Sequence, residues 1–209
     1  VENDEIYKTI NLKGIKHEKM PRASKPRKSK GTTSRGISKH KVCIESAIDE
    51  YDYMFMEIAG TGQITSDMVK KILTPKLGNI KMLITDCKSS YESEAKLKGW
   101  NLKQIKANGY TDSEGNSLAN INSVHSGLTD FLSHFRGVST KHLQGYLDWY
   151  CFDKHLNFCF EQNMQKKEIL KTSISYSTNI TSNNMYDNFS GIDFYDVYSD
   201  YNYVPGPAN

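Results

Sequence analysis

Long apolar runs are missing from this 209-residue chain. None approaches the roughly 18 to 20 residues that span a bilayer, and no apolar leader opens the sequence, so neither a membrane span nor a signal peptide is expected. Cysteine is scarce. Cys43, Cys87, Cys151 and Cys159 form no CxxC pair and have no histidine at zinc-finger spacing, which points to reduced thiols in a cytoplasmic protein. A glycine-rich phosphate loop after the first strand is also lacking, which disfavours a doubly wound nucleotide-binding fold. Hydrophobic residues make up only 37% of the chain and its mean hydropathy is -0.62, so part of it is expected to lie outside a packed core. The sequence opens at Val1, in what reads as mid-strand, so a preceding portion is expected.

The formal net charge of +3 hides an asymmetry. Over residues 13–41, Lys13, Lys16, Lys19, Arg22, Lys25, Arg27, Lys28, Lys30, Arg35, Lys39 and Lys41 alternate with Gly, Ser, Thr and Pro, and apolar periodicity vanishes. Such a stretch cannot bury enough surface to fold alone and reads as a basic loop inserted after the first strand. Charge runs of this kind are commonly solvated linkers. Contact with DNA phosphates is favoured here because acids are nearly absent from the block and a candidate metal site adjoins it. At the other end, residues 172–209 are rich in Ser, Thr, Asn, Asp and Tyr, and read as a disordered tail after a helical extension from 161.

Between these ends the periodicities predict an α/β domain over residues 1–160. Residues 1–10 form a first strand; 42–48 and 53–59 form a hairpin around Asp49-Glu50-Tyr51-Asp52. Thr65-Ser66-Asp67 signals a helix start, with Met68, Val69, Ile72 and Leu73 on one face until Thr74-Pro75 stops it. Residues 82–86 form a strand covered on both faces, 91–98 a short helix, 102–106 a strand and 107–117 a loop. Residues 119–135 give the clearest helix, with Ile121, Val124, Leu128, Phe131, Leu132 and Phe135 as its apolar stripe and Asn122, His125 and Thr129 as a polar one beside it. A last helix from about 140 sets Leu143, Tyr146, Leu147 and Tyr150 at helical spacing, next to Trp149, as core. Strand, hairpin, helix, strand, helix, strand is the ribonuclease H-like layout: a mixed five-stranded sheet flanked by helices.

The strand at 82–86 ends in Asp86. A carboxylate at a strand's carboxyl end sits where open α/β sheets bind ligands and metals, although an Asp there can equally cap the helix that opens near Ser89. Asp4 on the first strand is a second candidate. Two such carboxylates with a later polar ligand are what two-metal phosphoryl transfer requires, and Asn122 can offer a neutral carbonyl as the third ligand.

Six phrases, in this order, resemble the catalytic region of ISXO-like insertion-sequence transposases of the DDE superfamily: Asp4-Glu5-Ile6-Tyr7; Arg35-Gly36-Ile37-Ser38; Ala59-Gly60-Thr61-Gly62; Thr85-Asp86-Cys87-Lys88-Ser89-Ser90-Tyr91; Ile121-Asn122-Ser123-Val124-His125-Ser126; and Phe135-Arg136-Gly137-Val138-Ser139-Thr140-Lys141-His142-Leu143. In that group the third catalytic position is commonly Asn. The resemblance implies that Asp4, Asp86 and Asn122 bind two Mg²⁺ or Mn²⁺ ions and that His125 lies near the metals or the scissile phosphate. It implies cleavage at a transposon end followed by attack of the freed 3′-hydroxyl on target DNA, without a covalent protein intermediate. Lys16, Lys19, Arg22, Lys25, Arg27, Lys28, Lys30, Arg35 and Lys141 would contact DNA, with a homodimer or larger assembly forming on it, near the nucleoid of a prokaryotic cytoplasm. Two positions depart from the pattern: Thr129 stands where similar proteins usually have Lys, and Gly127 where they usually have Arg. The zinc ribbon that precedes the domain in similar full-length proteins is also missing from this sequence. These departures keep two alternatives open, an inactive or repurposed DNA-binding remnant and a host nuclease of the same fold.

Overall fold

The structure is a computed structural model that describes residues 1–13, 37, 39–106, 111–159, 164, 165, 167–169 and 171. The expected disordered tail, most of the expected basic loop and positions 107–110 lie outside the described residues.

β1 (Glu2–Thr9) opens Glu-Asn-Asp-Glu, a composition that strands ordinarily avoid. Its position explains its conformation: it is the middle strand of five and pairs on both sides, so ladder bonds rather than propensity hold it extended. β2 (Lys41–Ile48) runs antiparallel to it and β3 (Met54–Thr61) antiparallel to β2; β4 (Met82–Asp86) lies parallel to β1, and β5 (Asn101–Ile105) parallel to β4. The sheet order is β3-β2-β1-β4-β5. In the β2–β3 turn, Asp49 Oδ1 accepts the backbone N–H groups of Tyr51 and Tyr53, and Asp52 adopts a φ of 59°. Leu83, Ile84 and Thr85 of β4 are all buried, as a strand covered on both faces requires.

Among the described residues four helices cover the sheet. α1 (Ser66–Lys76) is capped by Thr65, whose hydroxyl accepts the Met68 N–H, and buries Val69, Ile72 and Leu73. It does not stop at Thr74-Pro75. Pro75 sits in the final turn, where its missing N–H removes a single helical bond near an end that frays in any case. A 3₁₀ turn at Ser89–Tyr91 leads into α2 (Glu92–Lys98), which Gly99 ends in the left-handed region. α3 (Ala119–Ser133) is two residues shorter than its apolar stripe suggests, and a 3₁₀ turn at Thr140–His142 precedes α4 (Leu143–Cys159).

Strand alternation divides the core. Even-numbered residues of β1 and β2, such as Ile6, Val42 and Ile44, pack with Ile121, Val124, Leu128, Leu147 and Tyr150 of α3 and α4. Odd-numbered ones, such as Tyr7 and Cys43, pack with Val69, Leu73, Tyr91 and Ala95 on the opposite face. Of the aromatic set expected in α4, Leu143, Leu147 and Tyr150 are buried, while Trp149 is 52% exposed against Phe131 and Phe135. Among the described residues no helix is long and apolar enough to cross a membrane.

Candidate metal centre

Parallel pairing of Glu2 with Ile84 sets the register of β1 and β4, so two residues further along each strand Asp4 comes beside Asp86. One carboxylate oxygen from each of them and one from Glu5 all lie within 4.8 Å of one another. The structure therefore brings the two predicted aspartates together. Neither the 3₁₀ turn nor α2 receives a side-chain cap, so Asp86 does not serve as a helix cap. Its Oδ2 accepts a 2.6 Å hydrogen bond from Lys88 Nζ, whereas its Oδ1 is buried without a partner.

Glu5 is not among the expected ligands, because strand alternation sends it to the face opposite Asp4. Lys88, two residues beyond the end of β4, joins the two faces: its ammonium bonds Glu5 Oε1 and Asp86 and lies 4.0 Å from Asp4 Oδ1. Burial works against the Lys88 charge, but its hydrogen bonds to Asp86 and Glu5 more than offset this and hold the ammonium above its ordinary range. Behind Glu5 lies a second buried carboxylate, since Glu5 pairs across the strands with Glu45. Tyr91 Oη is 2.8 Å from Glu5 Oε2 and 3.3 Å from Glu45 Oε2; Tyr7 donates to Glu5 and Asn3 Nδ2 to Glu45. Burial pushes the Glu45 carboxyl up to about 8, opposed by the Asn3 hydrogen bond and reinforced by the Glu5 charge. The Asp4 carboxyl rises to about 6, chiefly through burial, with Glu5 adding and Lys88 opposing.

α3 lies along the even-numbered face of β1. Asn120 Nδ2 and the Ile121 N–H donate to Glu2, and at the other end Lys8 Nζ donates to Thr129 Oγ1 at 2.9 Å. Between them His125 Nδ1 is 4.0 Å from Asp4 Oδ2, and its Nε2 is 2.6 Å from Ser46 Oγ. Burial pushes the His125 imidazole down to about 4, so it is neutral near pH 7. Asn122 stands one helical turn before His125 with its side chain exposed; its helix is placed as expected, but no hydrogen bond ties its carboxamide to either aspartate. Lys8 of β1 thus brings an ammonium to Thr129, the position at which the resemblance expects Lys. Gly127 also has a local reason: an added Cβ would meet Tyr150 Oη at 2.5 Å, and that hydroxyl donates to the Val124 carbonyl.

Of the expected DNA contacts, Lys16, Lys19, Arg22, Lys25, Arg27, Lys28, Lys30 and Arg35 lie outside the described residues. Lys141 is in the 3₁₀ turn whose Thr140 exchanges hydrogen bonds with Asn11, where the chain leaves β1 toward the basic stretch.

The donor set fits a divalent ion. Asp4, Glu5 and Asp86 are hard oxygen donors of the kind Mg²⁺ and Mn²⁺ take, and a buried, unpartnered carboxylate oxygen such as Asp86 Oδ1 is costly unless a cation or donor meets it. Glu5, Lys88 and Ser46 escape sequence reasoning for one reason: each reaches the site through pairing or chain reversal rather than through its own spacing. No family model matches the chain, and no curated protein matches it.

Proposed function

We propose that the chain is the catalytic domain of a DNA transposase similar to the ISXO-like group, with a ribonuclease H-like fold, that cleaves and joins DNA strands by metal-dependent phosphoryl transfer. The observation that carries this reading is the meeting of Asp4 and Asp86 on adjacent parallel strands, with Asp86 Oδ1 buried and unpartnered. The sheet order, with β1 to β3 antiparallel and β4 and β5 added in parallel, supports the fold assignment. Asp4 and Asp86, assisted by Glu5 and the Asn122 carbonyl, would hold Mg²⁺ or Mn²⁺. Two such ions supply an activated attacking oxygen and charge stabilisation of the leaving oxygen in an in-line displacement. Lys8, presented beside Thr129 on the α3 side, and the basic stretch after β1 bind the phosphodiester backbone as point charges. A homodimer or larger assembly on paired DNA ends accounts for the two-ended substrate.

One observation favours a second reading, an inactive DNA-binding remnant: the Lys88 ammonium already neutralises part of the carboxylate cluster. A single experiment separates the two. The wild-type chain incubated with DNA and Mg²⁺ or Mn²⁺ is expected to nick or join strands, and Asp86→Asn to abolish this while DNA binding persists. Undiminished activity in Asp86→Asn refutes the assignment, and salt-sensitive DNA binding without wild-type chemistry establishes the remnant.

A further inference from the structure

Ser46 faces the candidate site from β2, directly across the ladder from Asp4, and is completely buried. Its Oγ has two close neighbours, the Asp4 backbone carbonyl at 2.6 Å and His125 Nε2 at 2.6 Å. A hydroxyl owns one proton. The carbonyl can only accept, so at 2.6 Å the Ser46 proton must point to it; the alternative leaves two lone-pair oxygens in contact. The second short contact then requires a proton on His125 Nε2, donated to Ser46 Oγ. A neutral imidazole with its proton on Nε2 carries a bare lone pair on Nδ1. That atom faces Asp4 Oδ2 at 4.0 Å, too far for a hydrogen bond and within the span that one ion with ligands about 2.1 Å away on each side can bridge.

We propose that Ser46 is a positioning residue that fixes the His125 tautomer, so that His125 Nδ1 joins Asp4 as a nitrogen ligand of a divalent ion at this site. The inference rests on the divalent-ion reading of the site given above and deepens it. A serine hydroxyl behind an imidazole plays the part that a carboxylate or carbonyl commonly plays behind a metal-bound histidine, orienting the ring and setting which nitrogen is free. The consequence is a preference among metals. An imidazole ligand favours Mn²⁺ over Mg²⁺, which takes oxygen donors almost exclusively.

Two measurements on the full 209-residue chain test this without recourse to activity. Long-range ¹⁵N–¹H correlation spectra of the metal-free protein are expected to show His125 protonated on Nε2, and Ser46→Ala to lose that single tautomer. Electron spin echo envelope modulation of the Mn²⁺-loaded chain is expected to show a directly bound ¹⁴N that disappears in His125→Gln. Ser46→Ala should weaken Mn²⁺ binding about tenfold and leave Mg²⁺ binding within about twofold. If Ser46→Ala does not fold, the wild-type and His125→Gln spectra decide the matter. Mn²⁺ that binds saturably, is lost in Asp86→Asn and shows no ¹⁴N coupling overturns the inference and leaves the divalent site standing. Absence of any Asp86-dependent Mn²⁺ binding overturns the divalent-ion reading beneath it.

Discussion

Replacing Glu45 by Gln isolates the energetics of the polar interior. Glu45 is fully buried, with its carboxyl raised from 4.5 to about 8, so near neutral pH it is protonated in the fold and ionised in the unfolded chain. The sign follows from linkage: a carboxyl that holds its proton more tightly when folded stabilises the fold most below its unfolded value, and that advantage is lost as pH rises toward the folded one. From the two values, the cost of keeping Glu45 protonated is about 3 kcal/mol at pH 7 and about 4 kcal/mol at pH 8. A glutamine in its place avoids this cost and keeps the shape. The carboxamide oxygen can accept from Asn3 Nδ2, and the amide can donate toward Tyr91 Oη, which donates in turn to Glu5. The clean window lies above the ordinary histidine range, because below it Asp4, raised to about 6, loses stability with rising pH while His125, lowered to about 4, gains it. Urea unfolding followed by tryptophan fluorescence should show the wild type losing about 1 kcal/mol between pH 7 and 8 from this group, a slope that Glu45→Gln abolishes. The variant should also be the more stable protein at pH 7. A variant that is less stable there and keeps the wild-type slope would refute the reasoning, and would mean that Glu45 is ionised in the fold.

Two further substitutions probe the site's surroundings. Lys88→Met removes the only cation shown bonded to Glu5 and Asp86 among the described residues, and should destabilise the metal-free protein by about 2 to 3 kcal/mol in thermal unfolding, with Mn²⁺ restoring more stability than it adds to the wild type; an unchanged melting temperature would show the contact to be idle. Gly127→Ala should lose about 1 to 2 kcal/mol, although an exposed helical Gly→Ala gains about 1, because the new Cβ drives Tyr150 Oη off the Val124 carbonyl; in a Tyr150→Phe background the loss should vanish, and additivity in that cycle would refute the clash.

What can be read from the sequence is whatever local spacing determines. The β4 strand ending in Asp86, the α3 stripe and the hairpin all appear where their periodicities put them, with ends shifted by a residue or two. Pro75 misleads because proline stops a helix only where a bond and a turn remain to be lost, and here it falls in the last turn. Glu5 is hidden for a different reason. Alternation correctly sends it to the far face, but nothing local says that Lys88 will reach past the end of β4 and draw it into contact with Asp86. Ser46 depends on a register set by eight consecutive pairs between β1 and β2, which no local pattern in either strand reveals.

The polar opening of β1 is tolerable in the middle of a sheet because each face resolves its charges differently. Toward α1 and α2, Glu45 keeps a proton, while Tyr91, Tyr7 and Lys88 all direct donors at Glu5. Toward α3, His125 is neutral and its Nε2 is satisfied by Ser46. Among the described residues three buried side-chain atoms remain without partners: Asn3 Oδ1, Ser90 Oγ and Asp86 Oδ1. The first two belong to neutral groups, for which an unmade hydrogen bond costs about 1 to 3 kcal/mol, whereas a carboxylate left short of a donor costs more. Of the three atoms, Asp86 Oδ1 is therefore the costliest to leave unmet, and it lies beside the carboxylates of Asp4 and Glu5. Lys88 meets that side chain through Oδ2 alone, so Oδ1 is the atom the fold leaves without a donor. A cation from outside would meet Asp86 Oδ1 and would compete with the Lys88 ammonium for the carboxylates of Asp86 and Glu5.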